Sequence, residues 1–388
     1  MMKSASRVML DESQNKTVLL FIVNVDWFFL SHRLGIAKAA QAAGYDVHVA
    51  CRLTGRGEEL KVQGLKVHEI RMDRGTANVL GQVRALQDIA AVVRNITPSI
   101  VHCITIKPIL LGGAVARVAR VPLVVAAISG LGYVFISRGV VASIRRILVG
   151  LIYRFALSTK RVRVIFQNDD DRRLIQKIAG VRLNQVRYIC GSGVDLKRFF
   201  PRPVPLGRFT VVFAARLLAD KGLREFVAAA TIIKASDADV RFLVAGSRDT
   251  ENPACISEEE LANWSAEGAV EFVGHVNDMA AFYSGAHVVV LPSYREGMPL
   301  SLLEAAAIGR AVVTTDVPGC RDAIDPEVTG LLVPPRDIGS LVMAINRLRD
   351  DPALCAEMGR QGSLLAARKF SVDTVIDQHL KIYAEASV

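Results

Sequence analysis

The chain has no C-x-x-C pair, and its six cysteines, Cys51, Cys103, Cys190, Cys255, Cys320 and Cys355, lie scattered with no histidine at zinc-ligand spacing. That pattern excludes a disulfide scaffold and a zinc module, and reads as reduced thiols in a cytosolic protein. No apolar run is fit to cross a membrane. The best stretch, Val140 to Leu157, carries Arg145, Arg146 and Arg154, each costing roughly 2.5–3.5 kcal/mol near a bilayer centre. The run Val18–Val23 is too short for an export signal and lacks a small-residue cleavage site, so it reads as a first strand. Aromatic residues are sparse, at 6%, and are not interleaved with basic ones, which counts against a nucleic-acid surface. No G-x-G-x-x-G follows the first strand, and no P-loop or H-E-x-x-H occurs. Neither a dinucleotide cofactor nor a bound divalent ion is expected.

Acid is also in short supply. Lys and Arg number 48 against 38 Asp and Glu, a formal net charge of +10, which implies an anionic partner: nucleic acid, acidic membrane or nucleotide sugar. The deficit is sharpest between Ser137 and Asn168, which hold no acidic residue but Arg138, Arg145, Arg146, Arg154, Lys160, Arg161 and Arg163. Ile144, Ile147, Leu148, Leu151, Ile152 and Phe155 recur there at helical spacing. Such a basic amphipathic helix lies on an anionic membrane surface, or packs in a core with a solvated basic rim. Membrane contact through 138–163 is the expectation.

With 388 residues, half of them apolar, the chain can build two domains of roughly 150–200 residues. The most informative stretch runs from Leu291 to Gly319. A β-branched run up to Leu291 reads as a buried strand, Tyr294–Met298 as a tight loop, and Pro299 as the start of a helix that Gly309 closes after Ile308. Ala311–Thr315 is the next strand. Such a unit sets the helix N-terminus at the carboxyl edge of a parallel sheet, where open α/β folds bind ligands. Amides around Gly297, Met298 and Leu300, with the helix dipole, form an anion site suited to a diphosphate. Glu296 and Glu304 flank it. Singly, Glu296 reads as a solvated loop residue and Glu304 as the partner of an arginine. Together around an anion site they point to sugar or ribose hydroxyls.

Glu296 and Glu304, with seven residues between them in Ser293-Tyr294-Arg295-Glu296-Gly297-Met298-Pro299 and Leu303-Glu304-Ala305, resemble the E-x7-E signature of group 1 (family 4) retaining glycosyltransferases. Gly309-Arg310-Ala311-Val312-Val313 and Gly330-Leu331-Leu332-Val333-Pro334 fit the same family. The resemblance implies an α/β chain of GT-B fold, two doubly wound Rossmann-like domains facing a cleft, with a nucleotide sugar as substrate and no cofactor. It implies that Glu296 binds donor sugar hydroxyls and Glu304 the ribose. Arg216 and Lys221, which would otherwise read as surface charge, match the family's R-x4-K pair on the donor diphosphate. Gly274-His275-Val276 matches the turn that holds the nucleobase, although a lone histidine such as His275 is more often structural. Arg216, Lys221 and Glu296 form the expected catalytic set, and Gly297, Met298, Pro299 and Leu300 complete the donor site.

The amino-terminal half alternates strand and helix: strand to Val23, loop Asn24–Ser31, helix from His32 to Ala43, strand Asp46–Cys51, and onward to strand Leu123–Ile128. This reads as a parallel doubly wound sheet. Asn24, Asp26, Ser31, His32, Arg33, Thr105, Lys107 and Ser129 fall at its strand ends. Each alone reads as a cap or turn residue. In the GT-B arrangement this edge receives the acceptor, so Asn24, His32, Lys107, Ser129 and Gly130 are acceptor-side candidates. Many family members carry a histidine in the loop Ser129-Gly130-Leu131-Gly132-Tyr133. This chain has Ser129, and no catalytic histidine is assigned.

Gly191 to Phe199 resembles the N-G-V-D-x-x-x-F segment that closes the first domain, here 1–200, with Ser192 in place of the usual Asn. Pro201, Pro203 and Pro205 make 201–207 a stiff linker. The second domain is then 208–370, and a helix in 371–388 crosses back to the first domain in this fold.

Val25 to Arg33, Thr105-Ile106-Lys107-Pro108 and Gly130-Leu131-Gly132 are similar to bacterial enzymes that extend undecaprenyl-diphosphate-linked glycans. The expectation is a cytoplasmic enzyme, peripheral on the inner face of the membrane, moving a hexose or N-acetylhexosamine from a nucleotide sugar, UDP favoured, to a lipid-linked glycan. One alternative is a sugar-nucleotide epimerase of related fold, indifferent to an acceptor. Another is a non-catalytic basic binding protein, which would retain nucleic acid without binding nucleotide sugar.

Overall fold

The computed structural model describes residues 16–72, 79–130, 140–236 and 239–387, without the side chains of 79, 140–145 and 387. The first half runs β1 (Val18–Val25), α1 (Asp26–His32), α2 (Leu34–Ala42), β2 (Asp46–Arg52), α3 (Gly57–Val62), β3 (Lys66–Glu69), α4 (Val79–Ile96) and β4 (Ile100–Ile104). It continues with α5 (Ile106–Val118), β5 (Leu123–Ile128), α6 (Val140–Leu157), β6 (Val162–Phe166), α7 (Asp169–Ala179) and β7 (Val186–Tyr188). These strands pair in parallel in the order β3-β2-β1-β4-β5-β6-β7.

The second half runs β8 (Thr210–Ala214), α8 (Leu223–Ser236), β9 (Arg241–Ala245), α9 (Glu258–Glu267), β10 (Glu271–Gly274), α10 (Met279–Ser284), β11 (Val288–Leu291) and α11 (Leu300–Ile308). Then come β12 (Ala311–Thr315), β13 (Gly330–Val333), α12 (Ile338–Asp350), α13 (Pro352–Lys369) and α14 (Val372–Ala384). Its parallel sheet has the order β10-β9-β8-β11-β12-β13. Central strands such as β4, β5, β8, β11 and β12 are buried at every position, the consequence of helices covering both faces. Each sheet reverses its winding once, between β1 and β4 and between β8 and β11, and these switch points fix where ligands can enter.

Two chain crossings run side by side between the sheets. Val194 N donates to Phe370 O at 2.7 Å, and Val372 N to Val194 O at 3.0 Å. Beyond them α14 lies on the first sheet, where the Tyr383 hydroxyl meets His102 Nδ1 at 2.7 Å and Val375 and Ile382 are buried. The proline-rich segment is held to the second domain by Arg310, 1% exposed. Its guanidinium donates to Arg202 O at 3.0 Å, Pro203 O at 2.7 Å and Tyr283 O at 3.1 Å.

One local expectation is corrected. Residues 24–31 are not a loop: Asp26 starts a helix, and a break at Arg33 separates it from α2. Buried Asp26 fixes the first turn, its carboxylate accepting from Thr54 N at 2.7 Å, Thr54 Oγ1 at 2.6 Å, Arg56 N at 3.0 Å and Trp27 N at 2.8 Å. Burial raises its pKa, but these donors outweigh that and hold it below the usual carboxylate value. Phe29, one turn on, seals the helix against Phe21 at 5.3 Å between ring centroids.

In α6 the burial is also informative. Tyr153, Ala156 and Leu157 face the core, whereas Ile147, Leu148, Leu151, Ile152 and Phe155 are exposed, at 41–64%. The apolar stripe read from the sequence therefore points to solvent. The Arg138, Ile144 and Arg145 side chains lie outside the described residues, as do Leu131, Gly132 and Tyr133. Among the described residues, no helix is long and apolar enough to cross a membrane.

Candidate active site

β8 and β11 flank the switch point of the second sheet, so the loops that follow them converge. The loop after β8 carries Arg216, Asp220 and Lys221; the loop after β11 carries Ser293 to Met298. Tyr294 N donates to Asp220 O at 2.9 Å and Glu296 N to Pro318 O at 3.0 Å, which fixes both loops. Lys221 Nζ forms an ion pair with Glu296 Oε1, and that oxygen also accepts from Ser293 Oγ at 2.6 Å. Arg216 lies further out, its Nη1 at 2.5 Å from Asp249 Oδ2. Asp220 is half-buried, and burial pushes its carboxyl up against the pull of Lys221.

Pro299 takes the cap position and Leu300 the first turn of α11, one residue later than the sequence reading. The amides of Leu300 and Ser301 have no acceptor within the helix and carry the positive end of its dipole. Met298 packs beneath this turn against Gly191, which holds φ at +71° and where a Cβ would crowd Met298 Cγ at 3.0 Å. Glu304 sits one turn further along α11. Burial pushes its carboxyl up to about 8, against the Arg198 charge and the Tyr283 hydroxyl, which pull it down. A carboxyl raised in this way favours its protonated form, a donor as well as an acceptor. Gly274 and His275 are exposed and Val276 half-buried at the end of β10, two strands from β8.

The first sheet offers its own carboxyl edge. Asn24 Nδ2 donates to Thr105 Oγ1 at 2.8 Å, and the Asn24 Oδ1 atom is buried without a partner. Thr105 holds φ at +73°, a strained left-handed conformation for a branched residue, directly before α5. Lys107 is half-buried on the first turn of that helix. His32 stacks on Phe28 with ring centroids 4.4 Å apart and bonds Ser31 Oγ at 2.6 Å. Burial, then the charges of Arg33, Arg216 and Lys221, pull its imidazole down to about 4. Two of those cations belong to the second domain, so His32 faces that domain across the cleft.

The two edges meet at Ser129-Gly130 and Gly297. A Cβ on Gly297 would lie 2.4 Å from Gln167 Oε1 and 2.7 Å from Gly130 N. Asn168 Nδ2 donates to Gly297 O at 3.0 Å, and Arg295 pairs with buried Asp171. Arg33, 2% exposed, joins this seam by donating to Ser192 Oγ at 3.2 Å and reaching Ser129 Oγ at 3.5 Å. Burial pulls its guanidinium down to about 10, so it remains charged.

The structure thus brings together Arg216, Lys221, Glu296 and Gly297 with His32, Ser129 and Gly130. Asn24 and Lys107 sit deeper on the first edge, and Gly274 to Val276 at the rim of the second. Sequence reasoning did not assign Asp249, Asp220, Gln167, Asn168 or Asp171 to the site. Asn168 caps α7, accepting from Asp171 N at 2.8 Å. Its second bond across the cleft has no local signal. Among the described residues no cluster of His, Cys, Asp and Glu suits a metal ion.

With this geometry in view, residues 208–351 match the family model for Glycosyl transferases group 1, and residues 18–168 that for Glycosyl transferase 4-like. The chain is 28% identical over 376 residues to the Campylobacter jejuni N,N'-diacetylbacillosaminyl-diphospho-undecaprenol alpha-1,3-N-acetylgalactosaminyltransferase, covering 92% of this chain and 97% of that one. It is 24% identical to the Escherichia coli UDP-Gal:alpha-D-GlcNAc-diphosphoundecaprenol alpha-1,3-galactosyltransferase, covering 80% and 81%. Among solved structures, the fold matches sucrose-phosphate synthase from Thermosynechococcus elongatus with TM-score 0.76 at 22% identity, covering 95% of this chain and 99% of that one. It matches Anabaena HepE in complex with UDP and glucose with TM-score 0.75 at 18% identity, covering 94% and 99%.

Proposed function

The chain belongs to the group 1 glycosyl transferases and has the GT-B fold, and from that premise we propose that it moves a hexose or N-acetylhexosamine from a UDP-sugar to an undecaprenyl-diphosphate-linked glycan, with retention. The observation that carries the reading is the meeting of Lys221, Glu296 and Gly297 with Ser129, Gly130 and His32 at the joint carboxyl edges. The names of the Campylobacter and Escherichia relatives supply the lipid-linked acceptor, and the UDP-bound fold neighbour supports the nucleotide.

In this reading the donor diphosphate takes Arg216 from Asp249 and Lys221 from Glu296, and rests on the amides of Met298 and Leu300. These cations and dipoles stabilise the charge that grows on the departing diphosphate as the anomeric carbon becomes oxocarbenium-like. Glu296, released from Lys221, binds the donor sugar hydroxyls, and Glu304 binds the ribose. The acceptor hydroxyl attacks on the face the diphosphate leaves, and its proton passes to the leaving phosphate oxygen. Gly274 to Val276 hold the base. Asn24, Lys107, Ser129 and Gly130 line the acceptor's approach, and His32, kept neutral, packs beside it.

The enzyme acts as a peripheral protein on the inner face of the cytoplasmic membrane, through the basic stretch 138–163. Exposed Ile147, Leu148 and Leu151 between arginines support this, since apolar stripe and cationic rim together suit an anionic bilayer.

A thermal-shift panel of UDP, GDP, ADP and their sugars tests the donor. A rise in midpoint selective for UDP compounds, lost in Arg216→Ala, is the expected result. A flat panel with folded protein refutes the donor assignment.

A further inference from the structure

The transfer reaction makes no use of a groove on the outer face of the first domain. α4, α5 and α6 lie side by side there, and between their carboxyl-terminal halves is an open cavity of about 890 Å³. Leu86, Ala90 and Val93 of α4 form one wall, Val115 and Val118 of α5 the other, and Phe155 of α6 closes it. The groove leaves apolar surface uncovered: Val118 is 74% exposed and Leu86 37%. Leu80 and Val83 extend the same stripe of α4. Exposed apolar patches of this extent mark sites that something else covers.

A second cavity of about 310 Å³ adjoins the groove and shares Arg120 and Val121 with it. Arg117, Arg120, Lys160 and Arg161 converge on it, and among the described residues no carboxylate lines it. Arg117 is oriented by stacking over Phe155 at 4.5 Å and by Ser158 Oγ at 3.0 Å. Arg161 donates to Arg120 O at 3.0 Å, which fixes the opposite side. A slot for hydrocarbon thus opens into a pocket for an anion.

We propose that this groove and pocket bind one anionic phospholipid of the bilayer, an acyl chain lying between α4 and α5 and the phosphate held by Arg120 and Lys160. The proposal rests on the reading that this face meets a membrane. Charge complementarity selects an anionic over a zwitterionic lipid, since 137–168 contains no acid to balance its cations. Position selects a bilayer lipid over the reacting acceptor. The lining residues around Thr97, Arg120 and Lys160 precede β4, β5 and β6, so the pocket lies at the amino edge of the sheet. The cleft is at the carboxyl edge, a strand length of roughly 17–20 Å away. A diphosphate seated beside Glu296 cannot place its phosphate here. The bound lipid would orient the first domain on the surface with its cleft open to an acceptor in the same leaflet.

The test titrates monomeric dihexanoylphosphatidylglycerol into the full chain by calorimetry, with dihexanoylphosphatidylcholine as control, and sediments the protein with vesicles of mixed phosphatidylglycerol and phosphatidylcholine. Saturable one-to-one binding of the anionic lipid is expected, with roughly ten-fold weaker binding in Arg120→Glu/Lys160→Glu and loss in Val118→Glu. Val118 is exposed, so its substitution leaves folding and transfer to a soluble acceptor analogue unchanged. Absence of saturable binding by the parent, or equal binding by Val118→Glu, overturns the proposal. Vesicle sedimentation without lipid titration overturns the groove and keeps the membrane reading. Titration without sedimentation also overturns the proposal, since a protein that does not meet the bilayer takes no lipid from it.

Discussion

Gly130 and Gly297 lie backbone to backbone across the cleft: a Cβ on Gly130 would sit 3.0 Å from Gly297 N, and one on Gly297 would sit 2.7 Å from Gly130 N. Gly130 also holds φ at +84°, which disfavours a side chain on its own account. The obstacle at Gly297 comes instead from the other domain. Gly297→Ala is therefore tolerated within the second domain while forcing the two edges apart. Expected are UDP binding within a few-fold of the parent and a transfer rate lower by roughly a hundred-fold, the cost of about 1 Å of misplacement. X-ray scattering should show a larger radius of gyration. An unchanged rate would remove this contact from the reacting arrangement.

Lys221 and Glu296 neutralise each other before any ligand arrives. Removing either leaves a half-buried charge unpaired, so Lys221→Met and Glu296→Gln should each destabilise the chain, by about 1–3 kcal/mol in urea unfolding. The double variant should be less destabilised than the sum of the singles by at least about 0.5 kcal/mol. Strict additivity would mean that the pair is not coupled.

Glu304 gives the stability a pH dependence. Its carboxyl is raised from 4.5 to about 8, chiefly by burial, so the folded state binds a proton that the unfolded state releases. Stability from this group is fully present below about 4.5 and is lost as pH rises through about 8. Glu304→Gln keeps the neutral form, and its melting temperature should fall less than that of the parent over this window. Glu304→Ala should leave the chain folded and weaken UDP binding. Unchanged donor affinity would refute the ribose role.

His32 should remain neutral well below pH 6, because burial and the Arg33, Arg216 and Lys221 charges hold its pKa near 4. Histidine ring resonances followed by NMR from about pH 7 to 4 check this. Arg216→Ala removes one of the repelling charges and should move the midpoint upward. A midpoint near 6.5 in the parent would place His32 away from those cations.

The two sheets were legible because their central strands announce themselves by short continuous apolar runs, and helices such as those starting after Asn168 and Ser257 by their caps. The helix stop at Gly309 could be read to the residue. The helix Asp26–His32 was missed because its start is set by Asp26 bonding Thr54 and Arg56, 28 and 30 residues away. Arg216 and Lys221 carry a motif, but Asp249, which pairs with Arg216 over 33 residues, carries none. The bond that joins the domains from Asn168 to Gly297 spans 129 residues, and the one from Arg33 to Ser192 beside it, within the first domain, spans 159. No local period reports such contacts.

The sequence by itself determined the parallel sheets, the helix start after Gly297 and the spacing of Glu296 and Glu304, because burial periodicity and helix-end chemistry act within a few residues. Only the tertiary structure decided that Lys221 neutralises Glu296, that Gly130 meets Gly297, that burial raises the Glu304 carboxyl, and that the apolar side of α6 faces outward. Each of these depends on which distant groups exclude water from a site or share its field. Desolvation and Coulomb attraction follow distance in space and not distance along the chain.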